Sequence, residues 1–154
     1  MILTPEPLSS KAFAPFGEVI EADPATASDI NDGFTTRFHA LANVTSDREV
    51  IISIFRGRVR RFDIAMLERH PLGSQAFMPL GGRDWIAVVA ERPAPESCRA
   101  FLCGGGQGVN YRAGVWHHPL LVLSREQDFV VVDRAGAGDN LQEVRFDRPC
   151  RVRV

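Results

Sequence analysis

The chain has 154 residues and a formal net charge of −1, with 45% apolar and 24% charged residues. That length suits one domain with its own core, and that balance is the balance of an ordinary soluble globule rather than a disordered chain. The near-neutral charge removes the long-range field that nucleic acid or an anionic membrane would exploit, so neither is expected as a partner.

The opening stretch, Met1 to Lys11, lacks the basic start and long apolar segment of a secretory signal. No apolar run approaches the ~20 residues that span a bilayer, so a cytoplasmic location is expected. Ser9 or Ser10 caps a short amphipathic stretch ending near Phe13. Beyond it, short apolar blocks alternate with Gly, Pro, Asn and Asp. These blocks predict strands over Val50 to Phe55, Arg61 to His70, Gln75 to Leu80, Trp85 to Glu91, Arg99 to Cys103, Leu120 to Leu123, Phe129 to Asp133 and Leu141 to Phe146. The glycine clusters at 81–82, 104–106 and 136–138 supply turns. Many short strands with little helix predict an all-β sandwich or barrel, in a single domain over residues 1–154. Cys98, Cys103 and Cys150 are an odd, sparse set that makes no complete disulfide framework.

Chemistry concentrates in two stretches. Along the strand predicted from Arg61 to His70, side chains alternate faces, so Phe62, Ile64, Met66, Glu68 and His70 share one. Three apolar members nominate that face as the interior, and it ends in a carboxylate and an imidazole. Either these two enter a cavity, where burial demands a partner or a metal, or they lie past the last buried residue and face water. After the Pro71-Leu72-Gly73 turn, Gln75 shares a face with Phe77. The second stretch, Gly108 to Pro119, delivers Tyr111, Trp116, His117 and His118 from a glycine-flanked strand. Adjacent residues of an extended chain point oppositely, so only one of the two histidines is expected in a given cavity, with His118 in a supporting role.

The two stretches resemble the paired motifs of the cupin superfamily. Glu68-Arg69-His70-Pro71-Leu72-Gly73-Ser74-Gln75 occupies the first motif's frame, with Glu68 and His70 at its two histidine positions and Gln75 at its glutamate position. Gly114-Val115-Trp116-His117 matches the Gly-x-x-His of the second. The resemblance implies a double-stranded β-helix (jelly-roll) barrel with Glu68, His70, Gln75 and His117 at its mouth. The donor set departs from a tight cupin site, since it offers two imidazoles, one carboxylate and a neutral amide. A divalent ion that binds loosely, or a site that works with none, is the expectation.

The wording narrows the resemblance further. His70-Pro71-Leu72-Gly73-Ser74-Gln75-Ala76-Phe77, Gly108-Val109-Asn110-Tyr111, Val115-Trp116-His117-His118-Pro119-Leu120, Asp133-Arg134, and Ile30-Asn31-Asp32-Gly33 leading to Arg37-Phe38-His39 look like the ureidoglycolate lyase family. The family implies a cytosolic homodimeric enzyme of allantoin catabolism, acting on ureidoglycolate, with nickel as its divalent metal and no organic cofactor. Cleaving ureidoglycolate into glyoxylate and urea needs a base for the substrate hydroxyl and a proton for the departing nitrogen. On this resemblance His70 and His117 bind metal or substrate oxygen, Glu68 orients or acts as base, and Tyr111 assists proton transfer. Gln75 and Trp116 join the substrate site. The substrate carboxylate calls for a cation: Arg56 is one candidate, on the parity of Val50, Ile52 and Ile54, and Arg37 with His39 is another. Arg58, Arg60 and Arg61 read as a solvated basic edge. A hydrolase releasing ammonia and carbon dioxide, and a non-catalytic cupin module binding a small carboxylate, are the alternatives.

Gly104-Gly105-Gly106-Gln107-Gly108 lacks the Lys-Ser/Thr of a phosphate loop and reads as a connection at the barrel mouth. The Arg56 to Arg61 stretch has no interleaved aromatics for base stacking, and no Gly-x-Ser-x-Gly nucleophile elbow occurs.

Overall fold

A computed structural model describes residues 1–154 throughout. Its strands in chain order are β1 (Ile2–Leu3), β2 (Glu6–Pro7), β3 (Gly17–Ile20), β4 (Ala27–Ile30), β5 (Thr35–Phe38), β6 (Val50–Arg58), β7 (Asp63–Arg69), β8 (Gln75–Pro79), β9 (Trp85–Ala90), β10 (Cys98–Cys103), β11 (Gly108–Tyr111), β12 (Trp116–His117), β13 (Leu121–Val122), β14 (Glu126–Arg134) and β15 (Gln142–Val152). The one α-helix, α1 (Ser10–Phe13), is capped by Ser9, whose Oγ accepts from Ala12 N at 3.2 Å. No helix is long and apolar enough to cross a membrane.

Eight strands form one sheet, in the order β1-β15-β7-β12-β9-β10-β2 with β13 also paired to β9, and five form a second, β3-β11-β8-β14-β6. The predicted all-β barrel is therefore what the chain builds, and its interior comes from both sheets. Trp85, Ala87, Val89, Phe101 and Cys103 of the larger sheet meet Val19, Phe77, Val109, Tyr111, Phe129 and Val131 of the smaller one in a single buried cluster. Aromatic edges fill it: the rings of Phe129 and Trp85 lie 5.2 Å apart at 76°, an edge-to-face packing favoured by the ring quadrupoles.

The continuous apolar run Trp-Ile-Ala-Val-Val-Ala of β9 marks a strand covered on both faces. Its even residues, Ile86, Val88 and Ala90, turn away from the interior into a second cluster with Ile64, Leu67, Trp116, Cys150 and Val152. This second core corrects the reading of β7. Ile64 and Leu67 both belong to it, with Phe62 packed alongside, although an unbroken strand would send residues three apart to opposite faces. The pairing of β15 with β7 shifts register between Arg145 and Cys150, and this irregularity separates the two halves of β7. Glu68 thus points inward without Phe62 and Ile64 beside it.

Other boundaries moved for physical reasons. The single strand read from Gly108 to Pro119 is two, β11 and β12, because Gly114 turns the chain at φ 80° and its N–H donates to His70 O at 2.8 Å; that backbone geometry suits glycine. Strands β1 to β5 are only 2 to 4 residues long, too short to show a readable alternation. β4 and β5 form a separate two-stranded sheet. The three thiols are free and buried.

Replacing Phe129, which is 0% exposed, with Ala should cost about 3–5 kcal/mol of stability, read as a lower urea midpoint at an unchanged slope. An unshifted midpoint would contradict the assignment of this cluster as the main core.

Candidate active site at the barrel mouth

β7 and β12 lie side by side with Glu68 directly opposite His117, and Val89 of β9 stands on the other side of His117. Residues opposite one another in a sheet share a face, and Val89 belongs to the interior core, so Glu68 and His117 point inward. On the facing sheet Gln75 pairs with Tyr111. β3 must lie tight against β11 to hold Tyr111 here; Gly17 permits it, since a Cβ at that position would overlap the carbonyl of Asn110. Together these residues line a cavity of about 380 Å³, with Phe55 and Phe77 as its apolar wall.

Hydrogen bonding determines the state of both imidazoles. His70 Nδ1 lies 2.7 Å from the carbonyl oxygen of Asn140, and His117 Nδ1 lies 2.9 Å from that of Val115. A carbonyl only accepts, so each Nδ1 carries a hydrogen, and in the neutral ring the lone pair falls on Nε2. Both Nε2 atoms are buried without a partner. They stand 4.0 and 3.7 Å from Glu68 Oε1. Gln75 repeats the pattern: its Nε2 donates to Asp133 Oδ2 at 3.1 Å, which turns Oε1 the other way, and Oε1 too is buried and unpartnered. The Tyr111 ring lies flat on His117, with centroids 4.3 Å apart at 9°.

Burial controls the charges. It pushes His117 down to about 3, an effect that the nearby His70 and His118 reinforce, and it pushes His118 down to about 4. Both rings are neutral near pH 7. The Glu68 carboxyl is raised, again by burial, and the Tyr111 phenol is raised well above its usual value. The ligating atoms of Glu68, His70 and His117 all lie within 4.8 Å of one another. Two imidazoles with unpartnered Nε2 atoms and one carboxylate make a donor set that fits a divalent transition-metal ion, and the carbonyls holding each Nδ1 are the outer partners such ligands usually have.

The cavity gathers Glu68, Gln75, Tyr111 and His117 directly, and His70 through its ring 5.3 Å from that of His117. Of the other sequence-derived candidates it takes in only Arg56, at its rim. Trp116 faces the opposite side of β12, in the second core, under the guanidinium of Arg69 at 4.6 Å; with His117 inward, alternation leaves it no other choice. Arg37 and His39 are exposed, on and just after β5 and away from the cavity lining. Arg56 reaches the rim, but from the outer face of β6. Its apolar companions Ile52 and Ile54 are 76% and 57% exposed, and its guanidinium is paired in a two-pronged bond with Asp128 at 2.7 and 2.9 Å. The inward parity belongs to Phe55 instead.

Both His117 and His118 line the cavity, contrary to the alternation argument, because β12 ends at His117 and the chain leaves the sheet. Arg60, read from sequence as solvated edge, also stands at the rim. The glycine turn at 104–108 is at the far end: Cys103 pairs with Trp85, and Gly108 with Ile20, at the strand ends remote from His117 and Tyr111. Asp133 and Asn140 went unassigned from sequence, since their partners lie 58 and 70 residues away. Only the shared parity of Asp133 with Phe129 and Val131 hinted that it points inward.

A family profile described as "Ureidoglycolate lyase" matches residues 1–153. A ureidoglycolate lyase of Rhizobium leguminosarum biovar trifolii is 55% identical over 150 residues, covering 93% of this chain and 90% of its own length. "Ureidoglycolate lyase 1" of Rhizobium meliloti is 54% identical over 153 residues, covering 95% and 90%. Among solved structures, a serine-to-alanine variant of Bacillus subtilis oxalate decarboxylase aligns with a TM-score of 0.43 and 15% identity, over 91% of this chain and 29% of that one.

The buried histidines make stability depend on pH. Their folded pKa values, about 3 and about 4, lie below the ~6.5 of an unfolded histidine, so the unfolded chain binds more protons as pH falls. Stability that is complete above pH ~6.5 is then lost through this window, by up to about 1.4 kcal/mol per pH unit for each ring. Glu68, whose folded value is raised, has the opposite sign; its contribution is lost as pH rises, which offsets part of the effect. In chelator, the urea midpoint should be lower near pH 5 than near pH 7, and His118→Gln should shrink the difference. A flat profile would contradict the burial of these rings.

Proposed function

The chain belongs to the ureidoglycolate lyase family, and from that premise we propose that it cleaves (S)-ureidoglycolate to glyoxylate and urea at the barrel mouth, as a single domain over residues 1–154. The observation that carries this reading is the convergence of two bare imidazole nitrogens and one carboxylate on a small cavity.

The substrate carbon bears a hydroxyl, a carboxylate and a urea nitrogen. As the hydroxyl proton leaves, the C–O bond becomes the aldehyde carbonyl, the C–N bond breaks with its electron pair, and the nitrogen takes a proton. Glu68, with its pKa raised by burial, receives the hydroxyl proton; a base whose pKa approaches the working pH is the more effective one. Tyr111, kept protonated by burial, delivers the proton to the leaving nitrogen and takes back the one held by Glu68, which restores both groups. His70 and His117 Nε2 and the Gln75 amide oxygen grip the substrate's donors or a divalent cation. That cation, nickel by family resemblance, would supply Lewis acidity toward substrate oxygen from a site made by Glu68, His70, His117 and Gln75. Arg60, at the rim and with no ion pair of its own, offers the positive charge a carboxylate requires.

The reading extends to a cytoplasmic homodimer. Three unpaired thiols suit a reducing compartment. β6 is the edge of its sheet and exposes Val50, Ile52 and Ile54 on its outer side; a long apolar edge left bare would invite aggregation, and an equivalent edge of a second copy covers it with closed two-fold symmetry.

His70→Ala and His117→Ala should each lower urea release from ureidoglycolate by ~10²–10⁴-fold, with near-normal turnover in both variants refuting the assignment. Product analysis tests the reaction class, since ammonia and carbon dioxide in place of urea would mark a hydrolase. Chelation should depress the rate and nickel restore it. Ile52→Asp should shift the protein from dimer to monomer in light scattering, and a wild-type monomer would refute the assembly.

A further inference from the structure

Outside the cavity lies one buried charge that the chemistry above does not use. The Arg134 side chain is 2% exposed, at the end of β14, and forms an ion pair with Asp47. Its remaining donors go to the loop that follows: Nη1 to Gly136 O at 3.2 Å and Nη2 to Ala137 O at 2.6 Å. That loop holds Gly136 and Gly138 at φ 106° and 112°, conformations that glycine adopts freely and therefore does not hold by itself. It ends at Asn140, whose carbonyl oxygen accepts from His70 Nδ1 at 2.7 Å and whose Oδ1 accepts from Leu72 N at 2.8 Å.

The other end of the clasp is equally anchored. Asp47 follows Ser46, which bridges Gly73, and Thr45, which exchanges bonds with Ser74: Thr45 N to Ser74 Oγ at 2.8 Å and Ser74 N to Thr45 O at 2.9 Å. Arg134 therefore joins the segment before β6, the turn after His70 and the loop before β15. A guanidinium taken out of water is costly unless its donors are met, and here the loop's carbonyls and Asp47 meet them.

We infer that Arg134 is a positioning residue for His70: by holding the loop at 136–140 it keeps the Asn140 carbonyl on Nδ1 and so locks the ring with its Nε2 lone pair toward Glu68 and His117. The inference rests on the reading of His70 as a working group of the lyase site, and the test separates the two. The full chain labelled with ¹⁵N-histidine contains four histidines, and long-range ¹H–¹⁵N spectra, recorded well above the ordinary histidine pKa of ~6.5, report which ring nitrogen carries the hydrogen. The wild type should show His70 as the Nδ1–H form alone. Arg134→Lys keeps a charge for Asp47 but lacks the planar fork that reaches two carbonyls as well. It should shift His70 toward a mixture of tautomers while His117, held by Val115, stays unchanged. Urea release should fall by ~10–100-fold, the usual cost of losing such a support, mainly in kcat. Should that variant not fold, Asp47→Asn, at a side chain 50% exposed, loosens the same clasp and should move the same signal. A folded variant with the His70 tautomer unchanged, or with His117 altered equally, overturns the inference. A loosened tautomer with full urea release supports the clasp and refutes the role of His70 in the lyase reaction.

Discussion

His70 and His117 each give their Nδ1 hydrogen to a backbone carbonyl, and each is left with a bare Nε2 in the same small space, beside the carboxylate of Glu68. A buried polar atom without a partner costs about 1–3 kcal/mol, and the chain gathers three here, the two imidazole Nε2 atoms and the amide oxygen of Gln75. Such a concentration of unmet acceptors is what a site prepared for an incoming donor or cation looks like. Nothing about the strands alone requires it, because the same positions filled with apolar side chains would pack more stably.

The barrel supplies what that arrangement needs. Its main core joins both sheets with close aromatic contacts, and the polar cluster occupies one end, where the loss of apolar packing is confined to the mouth. Register is the decisive device. A slip of one residue between β7 and β12 would take Glu68 away from His117 and exchange the inward and outward faces. The second core, on the outer face of the larger sheet, guards that register: it buries Leu67 and Trp116, the immediate neighbours of Glu68 and His117, so slippage would expose both.

A ring of supports outside the cavity completes the site. Asp133 orients the Gln75 amide, Val115 and Asn140 fix the two tautomers, and Arg134 ties the Asn140 loop to the body of the protein. Support of this kind matters because proton transfer depends on which nitrogen bears the hydrogen, and a free imidazole samples both forms. β6 has a double role in this plan. Its inner residue Phe55 walls the cavity, and its outer face carries the exposed isoleucines, so an occupant of that outer face would lie within one strand of the substrate.

Much of this was legible in the residues themselves. Alternating short apolar blocks and glycine turns declare an all-β chain, because burial and turn formation are local demands. The spacing of Glu68, His70, Gln75 and His117 marks the cluster and its family. What local pattern did not reveal is whatever depends on pairing across long separations. The bulge that sends Ile64 away from Glu68 exists only in the contact of β7 with β15. The outward turn of Arg56 and Trp116 follows from which face each sheet buries, and alternation says only that two faces differ, not which one is inside. Asp133 and Asn140 act on partners far along the chain, and a carbonyl acceptor has no side-chain signature to read. The sequence by itself thus determined the kind of fold and singled out the polar side chains that meet at the barrel mouth. Only the tertiary structure decided their direction and protonation, because those are set by neighbours that the folded chain, and not the linear one, brings together.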